Sequence, residues 1–470
     1  MRTSYAAFVV PDLPVAGCRN GAERRSECVT RVSLTRTCRT LALAASLFSS
    51  AVSCSGTSSD NTIRFWGLGR EGEVVQSLVP EFERRNPGIH VRVQQIPWTA
   101  AHEKLLTSFV GEATPDVAQL GNTWVPEFAA LGALEQLDGV LKGSVAIAPS
   151  AYFRGIWATN VVNGQTFGIP WYVDTRVLYY RKDLLSRAGY ATPPTTWATW
   201  TEALRKVKAL GEPTEYGVLL PLDEWNQPVI FGLQNGATLL SDGGRRGAFE
   251  DPRFREAFTF YVDLFRSGLA PRVSNTQISN VYQEIARGRF GFYPSGPWNI
   301  GEFRRRLPAA DQDIWATTPL PGPTEAADGI SMAGGASLVV FRQSTQKAAA
   351  WKFIEFLSEP AQQMRFYELT GDLPARTEAW QSPAIANDPA TRAFGFALQR
   401  SVPLPQVPEW EEIAQRVSQY AEQAARGRMT IDASLAALDR DVDNILAKRR
   451  WILDRLRQDS ATAGARGGRS

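Results

Sequence analysis

Apolar and polar positions along residues 62–131 alternate between two periods. Short runs with a period of two, or continuous apolar runs, predict strands at 62–66, 89–96 and 116–120. Runs with a period near 3.6 predict helices between and after them, at 73–85, 100–110 and 125–131. Strands that alternate with helices in this way predict a sheet rich in parallel pairs, and therefore an α/β fold.

A second series of alternating strands and helices begins after a break at residues 171–176. Further strands are predicted at 177–180, 216–220, 289–293 and 337–341. The predicted helices are 182–188, 200–210, 347–357, 361–369, 409–426 and 431–457. Two such series separated by a break predict two α/β lobes within one chain.

The composition is that of a globular protein, with 470 residues, 44% hydrophobic and 21% charged. The formal charge of +3 is unevenly distributed, because residues 1–53 contain seven Arg against three acidic residues. From Cys54 onward, 44 basic residues face 45 acidic ones. Nucleic-acid binding needs clustered Lys and Arg, so this balance argues against such a partner.

The first 60 residues are typical of an export signal. A short apolar run at 41–53 follows Arg36 and Arg39 and is too short to span a bilayer as a mature helix. Small residues then precede Cys54, and a polar tether at 54–60 follows, which resembles a bacterial lipoprotein signal although Ala51 replaces the usual Leu. We therefore expect a signal or pre-region at 1–53 and lipidation of Cys54, and a misassigned start codon is one explanation for the length of the segment before Arg36. A Gly- and Arg-rich disordered tail is expected at 458–470.

The segment Gly67-Leu-Gly-Arg-Glu-Gly72 has the letter pattern of a dinucleotide-binding turn. The next predicted strand ends without the acidic residue that would hold a ribose, and Glu71 would repel a pyrophosphate. We therefore expect no cofactor. We also expect no metal, since His90 and His102 are the only histidines and no ligand cluster accompanies them.

Predicted strand ends instead combine aromatic residues with charged or amide residues. Arg70 and Glu71 follow the first strand, and Trp225 and Trp298 stand in similar polar settings further along. Sugar rings have apolar C–H faces that pack on aromatic rings, and hydroxyl rims that hydrogen-bond to charged and amide groups. Because ligands of open α/β sheets bind beyond the carboxyl ends of the strands, this pattern favours a sugar site.

Six segments in this order resemble the extracellular solute-binding proteins (family 1) of ABC importers, in the group that binds maltose and trehalose. They are FERRNPGIHV (82–91), TPDVAQLGNTW (114–124), GIPWYVDTRVLYYRKDL (168–184), FGFYPSGPW (290–298), GGA (334–336) and AAAWKFIEFL (348–357). The likeness covers residues 60–453. It implies a two-lobed periplasmic-binding-protein-like fold of type II, with a hinge between the lobes and the ligand in the cleft.

The resemblance implies a first crossing of the chain between the lobes at 171–176, and with it lobe boundaries and site residues. The first lobe would comprise 61–172 with 314–350, and the second 173–313 with 351–457. Residues at positions matching the family's sugar contacts are Glu71, Asn122, Tyr172, Asp174, Trp298, Gly334, Gly335 and Arg376. Trp225 is carried over as well, from a loop that aligns poorly with the family, and Arg70 joins them on the strand-end pattern alone.

The expected function is capture of a sugar, such as an α-linked disaccharide (trehalose or maltose), by hinge closure and its delivery to an ABC transporter permease. The protein would be a monomer and not an enzyme, located in the periplasm or on the outer face of the cytoplasmic membrane. Two alternatives stay open: an exported glycoside hydrolase that uses Glu71 and Asp174 as paired carboxylates, and a binder of another solute such as a glycerophosphodiester.

The N-terminal pattern generates the first testable prediction. The mature chain is expected to begin at Cys54 with attached lipid, so intact mass of membrane-extracted protein should show a diacyl addition. Cys54→Ala should abolish this addition and release the protein from the membrane. A water-soluble wild-type product that starts elsewhere and has no acyl mass would contradict lipidation.

Overall fold

The computed structural model describes residues 61–455. The predictions for the pre-region at 1–53, the tether at 54–60 with Cys54, and the tail at 458–470 lie outside the described residues. Within 61–455, none of the helices combines the length and apolar character that crossing a membrane would require.

The strands of residues 61–455 are numbered in chain order. They are β1 (Thr62–Leu68), β2 (His90–Ile96), β3 (Val117–Gly121), β4 (Val161–Val162), β5 (Gln165–Thr166), β6 (Ile169–Asp174), β7 (Val177–Arg181), β8 (Tyr216–Val218), β9 (Leu240–Ser241), β10 (Arg246–Gly247), β11 (Phe290–Ser295), β12 (Trp315–Thr318), β13 (Ser331–Met332), β14 (Gly334–Val340), β15 (Leu373–Pro374) and β16 (Ser401–Val402).

The α-helices of the same part of the chain are numbered in the same way. They are α1 (Gly69–Val74), α2 (Val79–Arg85), α3 (Trp98–Val110), α4 (Val125–Ala130), α5 (Asp138–Leu141), α6 (Arg154–Ala158), α7 (Lys182–Arg187), α8 (Trp197–Lys208), α9 (Asn226–Gln234), α10 (Pro252–Arg266), α11 (Val281–Ala286), α12 (Trp298–Arg306), α13 (Lys347–Leu357), α14 (Pro360–Thr370), α15 (Pro383–Ala386), α16 (Pro389–Gln399), α17 (Trp410–Ala425) and α18 (Ile431–Ile445).

The first sheet has the strand order β15-β6-β14-β3-β1-β2. Strand β1 pairs in parallel with β2 and β3, as the sequence predicts. Strand β14 pairs antiparallel to both β3 and β6, so β6 runs in the same direction as β1, β2 and β3. The carboxyl ends of these four strands therefore meet at one edge of the sheet.

Helices cover the first sheet through an aromatic core. The ring of Phe65 on β1 packs edge-on against Trp171 of β6 and Phe353 of α13, and Phe353 also contacts Phe82 of α2. All four side chains are almost fully buried. Since large aromatic residues contribute most per side chain to a core, these contacts fix the helices on the sheet.

The second sheet has the order β12-β7-β11-β8 and its own core. Trp200 of α8 is fully buried and contacts Phe231 and Phe292, while Trp197 stacks on Phe260 at 4.4 Å between ring centroids. The molecule therefore has two α/β lobes, one around each sheet, in agreement with the fold class expected from the sequence. All the described residues belong to one compact unit.

The chain passes between the two sheets more than once. It leaves the first sheet at Asp174 and enters the second at Val177, within the expected crossing at 171–176. It returns between β12 and β14 through β13, which pairs in parallel with β16.

The expected lobe boundaries need two corrections. Strand β12, which the resemblance places in the first lobe, pairs with β7 in the second sheet. Conversely, α13 packs on the first lobe and β15 pairs with β6, although residues 351–457 are expected in the second lobe. A short apolar segment does not reveal its partner in sequence, because strand pairing over long separations depends on tertiary structure.

The glycines of the turn after β1 permit close backbone contact. A Cβ atom on Gly67 would lie 2.5 Å from the Cα of Gly72, and one on Gly72 would lie 2.5 Å from the carbonyl oxygen of Gly67. These glycines therefore bring the start of α1 against the end of β1, which is a packing role.

This contact generates a stability prediction. Gly67→Ala should lower the free energy of unfolding by about 1–3 kcal/mol, because the added methyl group meets backbone atoms that cannot rotate away. Gly301→Ala is the control, since Gly301 lies inside α12 and a Cβ atom added there would have no other atom within 4 Å. The control should be neutral or stabilised by up to about 1 kcal/mol. Equal melting curves for Gly67→Ala and wild type would contradict the packing role.

Candidate functional site

One edge of the first sheet collects polar and aromatic side chains from separate parts of the chain. Arg70 and Glu71 follow β1, and Asn122 follows β3. Tyr172 and Asp174 lie at the carboxyl end of β6. These strands run in the same direction, so their final residues converge although they are up to about a hundred positions apart.

Strand β14 brings two further predicted residues to the same edge. Gly334 and Gly335, at its amino end, pair with Asp174 and Val173 of β6. Strand β15 is antiparallel to β6 as well, with Leu373 opposite Val173. Asp372, the residue before this strand, therefore stands at this edge too.

The second sheet contributes residues from the opposite side. Ser295, the last residue of β11, pairs with Val177, the first residue of β7. This pairing places Trp298, just beyond β11, near Arg176, just before β7. Trp225 comes from the segment between β8 and α9.

These groups surround a cavity of about 550 Å³ between the lobes, called the cleft below. Its lining residues are Arg70, Glu71, Trp98, Gly121, Asn122, Thr123, Trp124, Tyr172, Val173, Asp174, Arg176, Trp225, Asn226, Pro297, Trp298, Glu302, Met332, Ala333, Gly334, Gly335, Thr370, Asp372, Leu404 and Glu411. Every predicted ligand residue except Arg376 is among them. Their role in binding stays a prediction.

Arg376 does not line the cleft, which corrects the sequence prediction. Its Nη1 donates hydrogen bonds to the carbonyl oxygens of Ala146, at 2.6 Å, and Ser358, at 3.5 Å. Its guanidinium also lies over the ring of Tyr152, 5.6 Å from the centroid. The buried side chain thus satisfies backbone acceptors inside the first lobe, and its role is structural.

A chain of hydrogen bonds orients Glu71. The backbone N–H of Leu68 donates to Oε1 of Gln119 at 2.8 Å, and Nε2 of Gln119 donates to the hydroxyl of Tyr172 at 3.0 Å. That hydroxyl donates to Oε1 of Glu71 at 2.9 Å, and Nε1 of Trp98 donates to Oε2 at 3.4 Å. Burial raises the pKa of Glu71, and the two donated hydrogen bonds oppose that increase.

Asp174, Arg176 and Trp298 form a second group, which joins the two sheets across the cleft. Nη1 of Arg176 donates to Oδ1 of Asp174 at 2.5 Å. The guanidinium carbon of Arg176 lies 4.7 Å from the ring centroid of Trp298. A Cβ atom on Gly296 would overlap the Trp298 ring, so glycine at 296 allows the indole to take this position.

Asn122 and Trp225 are both held by contacts inside the protein. Nδ2 of Asn122 donates to the carbonyl oxygen of Ala333 at 3.0 Å, which ties the end of β3 to the segment that precedes β14. The ring of Trp225 packs edge-on against the buried Trp410 of α17, at 5.8 Å between centroids. Both side chains still reach the cleft wall, and these contacts limit their movement.

The family of the chain follows from a comparison with known proteins. The model of the family described as bacterial extracellular solute-binding protein matches residues 66–364. The chain belongs to this family. The resemblance seen in the sequence is thereby confirmed for the family and for the two-lobed fold.

Individual relatives of this solute-binding protein bind different solutes. The structure of the sugar-binding protein MalE from Xanthomonas citri is 49% identical, with a TM-score of 0.80, and covers 84% of this chain and 99% of its own. The diacetylchitobiose binding protein DasA of Streptomyces coelicolor is 25% identical, over 83% of this chain and 94% of its own. The sn-glycerol-3-phosphate-binding periplasmic protein UgpB of Agrobacterium fabrum is 24% identical, over 68% of this chain and 75% of its own.

The cleft of this solute-binding protein also contains residues that the sequence prediction omits. Trp98 and Trp124 stand at predicted strand ends, and Arg176 belongs to the predicted crossing, but none of the three is among the predicted ligand residues. Asp372 carries no signal in the sequence. Its neighbour Leu373 starts a strand of two residues, too short for a periodic pattern, so only the pairing of β15 with β6 reveals its position.

Asp372 is the most perturbed acid of the cleft. It is 8% exposed, and none of the described Lys or Arg side chains forms an ion pair with it. Burial raises the pKa of Asp372 from its ordinary value of 3.8 to about 8, and the carboxylate of Glu71 adds to the increase. Both influences favour the protonated form of the Asp372 carboxyl group.

The position of Trp298 generates a binding prediction. Trp298 is 38% exposed and borders the cleft, so its indole is available for stacking on a sugar ring. Trp298→Ala should remove stacking and buried apolar area worth about 2–4 kcal/mol, or roughly 30- to 1,000-fold in affinity. Calorimetric titration gives the affinity.

The melting curve without ligand tests whether the effect is local. It should change little, because truncation of a core Trp would instead cost about 3–5 kcal/mol of folding stability. Trp451→Ala is the control, since Trp451 is 64% exposed and does not line the cleft. Wild-type affinity together with a large drop in melting temperature for Trp298→Ala would show that Trp298 is a packing residue.

Proposed function

We propose that this protein is the sugar-capturing component of an ABC importer and that its ligand is an α-linked disaccharide such as maltose or trehalose. The observation that carries the proposal is the combination found in one interlobe cavity. Aromatic faces, including Trp225 and Trp298, border the same space as the hydrogen-bonding groups of Glu71, Asn122 and Asp174. This combination matches the two surfaces of a sugar, its C–H faces and its hydroxyl rim.

The size of the cavity supports a small sugar as ligand. A volume of about 550 Å³ lies within the range of roughly 300–1,000 Å³ typical of small-molecule sites. The 49% identity to a MalE sugar-binding protein supports the same ligand class.

We propose capture by closure of the lobes about the crossing at 174–177. The cleft walls come from both sheets, so a ligand that contacts Asp174 on one side and Trp298 on the other stabilises a closed arrangement. The closed monomer would then deliver the sugar to a membrane permease. Export and anchoring through a lipid on Cys54 would keep it at the outer face of the cytoplasmic membrane.

A phosphate-bearing solute is the second candidate, because UgpB is among the relatives. The cleft offers Arg70 and Arg176, but the guanidinium groups are already engaged. Arg70 donates to the carbonyl oxygen of Leu369 at 3.0 Å, and Arg176 pairs with Asp174. With the acidic side chains of Glu71, Glu302 and Glu411 also lining the cleft, the balance of charge favours a neutral polyol over an anion.

A thermal-shift panel tests the ligand class. Maltose, trehalose, glucose and sn-glycerol 3-phosphate are each added in excess, and a disaccharide is expected to raise the melting temperature most. A ligand at 100 times its Kd stabilises the native state by about 2.7 kcal/mol. A shift with the phosphate ester alone would contradict the proposal and favour the second candidate.

Two further measurements on the same samples test the mechanism. Small-angle scattering should show a smaller radius of gyration with the bound disaccharide, and an unchanged radius at saturation would contradict closure. Assay of free glucose after prolonged incubation tests the hydrolase alternative. Glucose release that is lost in Glu71→Gln would show catalysis by the paired carboxylates.

A further inference from the structure

The cleft contains two neighbouring carboxyl groups, those of buried Asp372 and half-buried Glu71, with no ion pair to either within the described residues. Helix α1, which contains Glu71, packs against α14, which ends just before Asp372. The hydrogen bond from Arg70 to the carbonyl oxygen of Leu369 fixes this arrangement. Two carboxyl groups so placed repel each other when both are ionised, and this repulsion favours a proton on one of them.

The hydrogen-bond chain decides which group holds the negative charge. The amide of Gln119 accepts from the backbone N–H of Leu68, so its NH₂ group must face Tyr172. The hydroxyl of Tyr172 accepts that hydrogen bond, and its own proton points to Glu71. An indole N–H is only a donor, so Trp98 also requires an acceptor at Glu71. The two donated hydrogen bonds lower the pKa of Glu71 and favour its ionised form over that of Asp372.

Burial and two neighbouring carboxyl groups favour a proton on Asp372. Its backbone N–H donates to Oγ1 of Thr370 at 3.0 Å, and the hydroxyl of Thr370 lowers the pKa of Asp372, which opposes the effect of burial. The charged groups that act on it are Glu71 and Asp174, which both favour protonation, and Arg70, which opposes it. Asp174 is already neutralised by Arg176, and Arg70 is directed to Leu369.

We propose that Asp372 and Glu71 act as one sugar-binding unit, in which protonated Asp372 donates a hydrogen bond to the ligand and ionised Glu71 accepts one from it. A sugar hydroxyl both donates and accepts, so a single hydroxyl or two adjacent ones satisfy the unit. A hydrogen bond to an ionised group is stronger than one between neutral groups, and the pair supplies both directions from fixed positions. This inference rests on the proposed function, since it assigns a role to Asp372 in the same cleft.

The pair makes binding depend on pH. The unit needs one proton, so affinity should be constant near neutral pH and fall as Asp372 ionises above pH 8. If binding requires the protonated form, affinity at pH 9.5 should be roughly 30-fold lower than at pH 7. Titration calorimetry with whichever of maltose and trehalose binds more tightly measures this change.

Two variants of Asp372 separate the roles of the proton and of the side chain. Asp372→Asn keeps an uncharged donor, so it should bind within about threefold of wild type at pH 7 and show no loss at pH 9.5. Asp372→Ala removes the donor and should bind about tenfold more weakly at pH 7. Asp328→Asn is the matched control: burial raises the pKa of Asp328 to about 6, but Asp328 does not line the cleft, so sugar affinity should be unchanged.

Melting curves without ligand test the proton independently of any sugar. The native state binds a proton that the unfolded chain has lost between pH 3.8 and about 8, so the stability due to this group falls as the pH rises through that window. Asp372→Asn has no such loss, so its melting temperature should rise relative to wild type as the pH increases from about 4 to about 8, and the difference should then level off. Equal pH dependence in the two proteins would overturn the assignment of the proton to Asp372.

The outcomes separate this inference from the proposed function. If wild type binds the disaccharide with the same affinity at pH 7 and pH 9.5, or if Asp372→Ala binds like wild type, the donor–acceptor unit is overturned and sugar capture stands. If neither wild type nor Asp372→Asn binds maltose or trehalose at any pH, both proposals fail. If affinity falls at pH 9.5 in wild type but not in Asp372→Asn, the result supports the donor–acceptor unit.

Discussion

The arrangement of both lobes depends on strand β14, which lies between β6 and β3 in the first sheet. This strand reaches the sheet only after the chain has formed the strands of the second sheet. It pairs with a strand on each side and therefore forms two ladders of hydrogen bonds. Its residues are almost all buried, so it also forms a central part of the core. Without it, β6 and β15 would be separated from β3, β1 and β2. The first lobe is therefore completed by a segment that has passed through the second.

This central position also determines where the cleft forms. Because β14 is antiparallel to both neighbours, β6 must run in the same direction as β3, and their carboxyl ends share one edge. The crossings at 174–177 and before residue 334 leave from that edge and lead to the second sheet. The same constraint thus places the connections between the lobes, the ends of the strands and the opposing wall around one cavity. Gln119 then links β1, β3 and β6 there through the hydrogen bonds that orient Glu71.

The sequence could predict those features that depend on neighbouring residues. The strands predicted at 62–66, 89–96 and 116–120 and the helix predicted at 100–110 agree in type and approximate bounds, because amphipathic periods are local, whereas the helix predicted at 73–85 is divided into α1 and α2. Residues that follow the carboxyl ends of strands are predictable as cleft residues for the same reason, and Glu71 and Trp298 do line the cleft, although their role in binding stays a prediction. Strand partners at long separation were not predictable, so β12 and α13 were assigned to the wrong lobes. The same limitation explains Asp372, whose place in the cleft depends on a pairing between residues two hundred positions apart.

Arg376 and Asp372 together show that residue type alone does not identify which side chain of a segment lines the cleft. Both lie in the segment Gly371-Asp-Leu-Pro-Ala-Arg376, and an arginine is the more obvious sugar contact. Yet β15 is antiparallel to β6, so the start of this segment lies at the cleft edge and its end runs towards the interior of the lobe. The guanidinium finds backbone carbonyl oxygens there, while the carboxyl group is left at the cleft beside Glu71. Strand direction, rather than residue type, therefore decides which of the two side chains is available to a ligand.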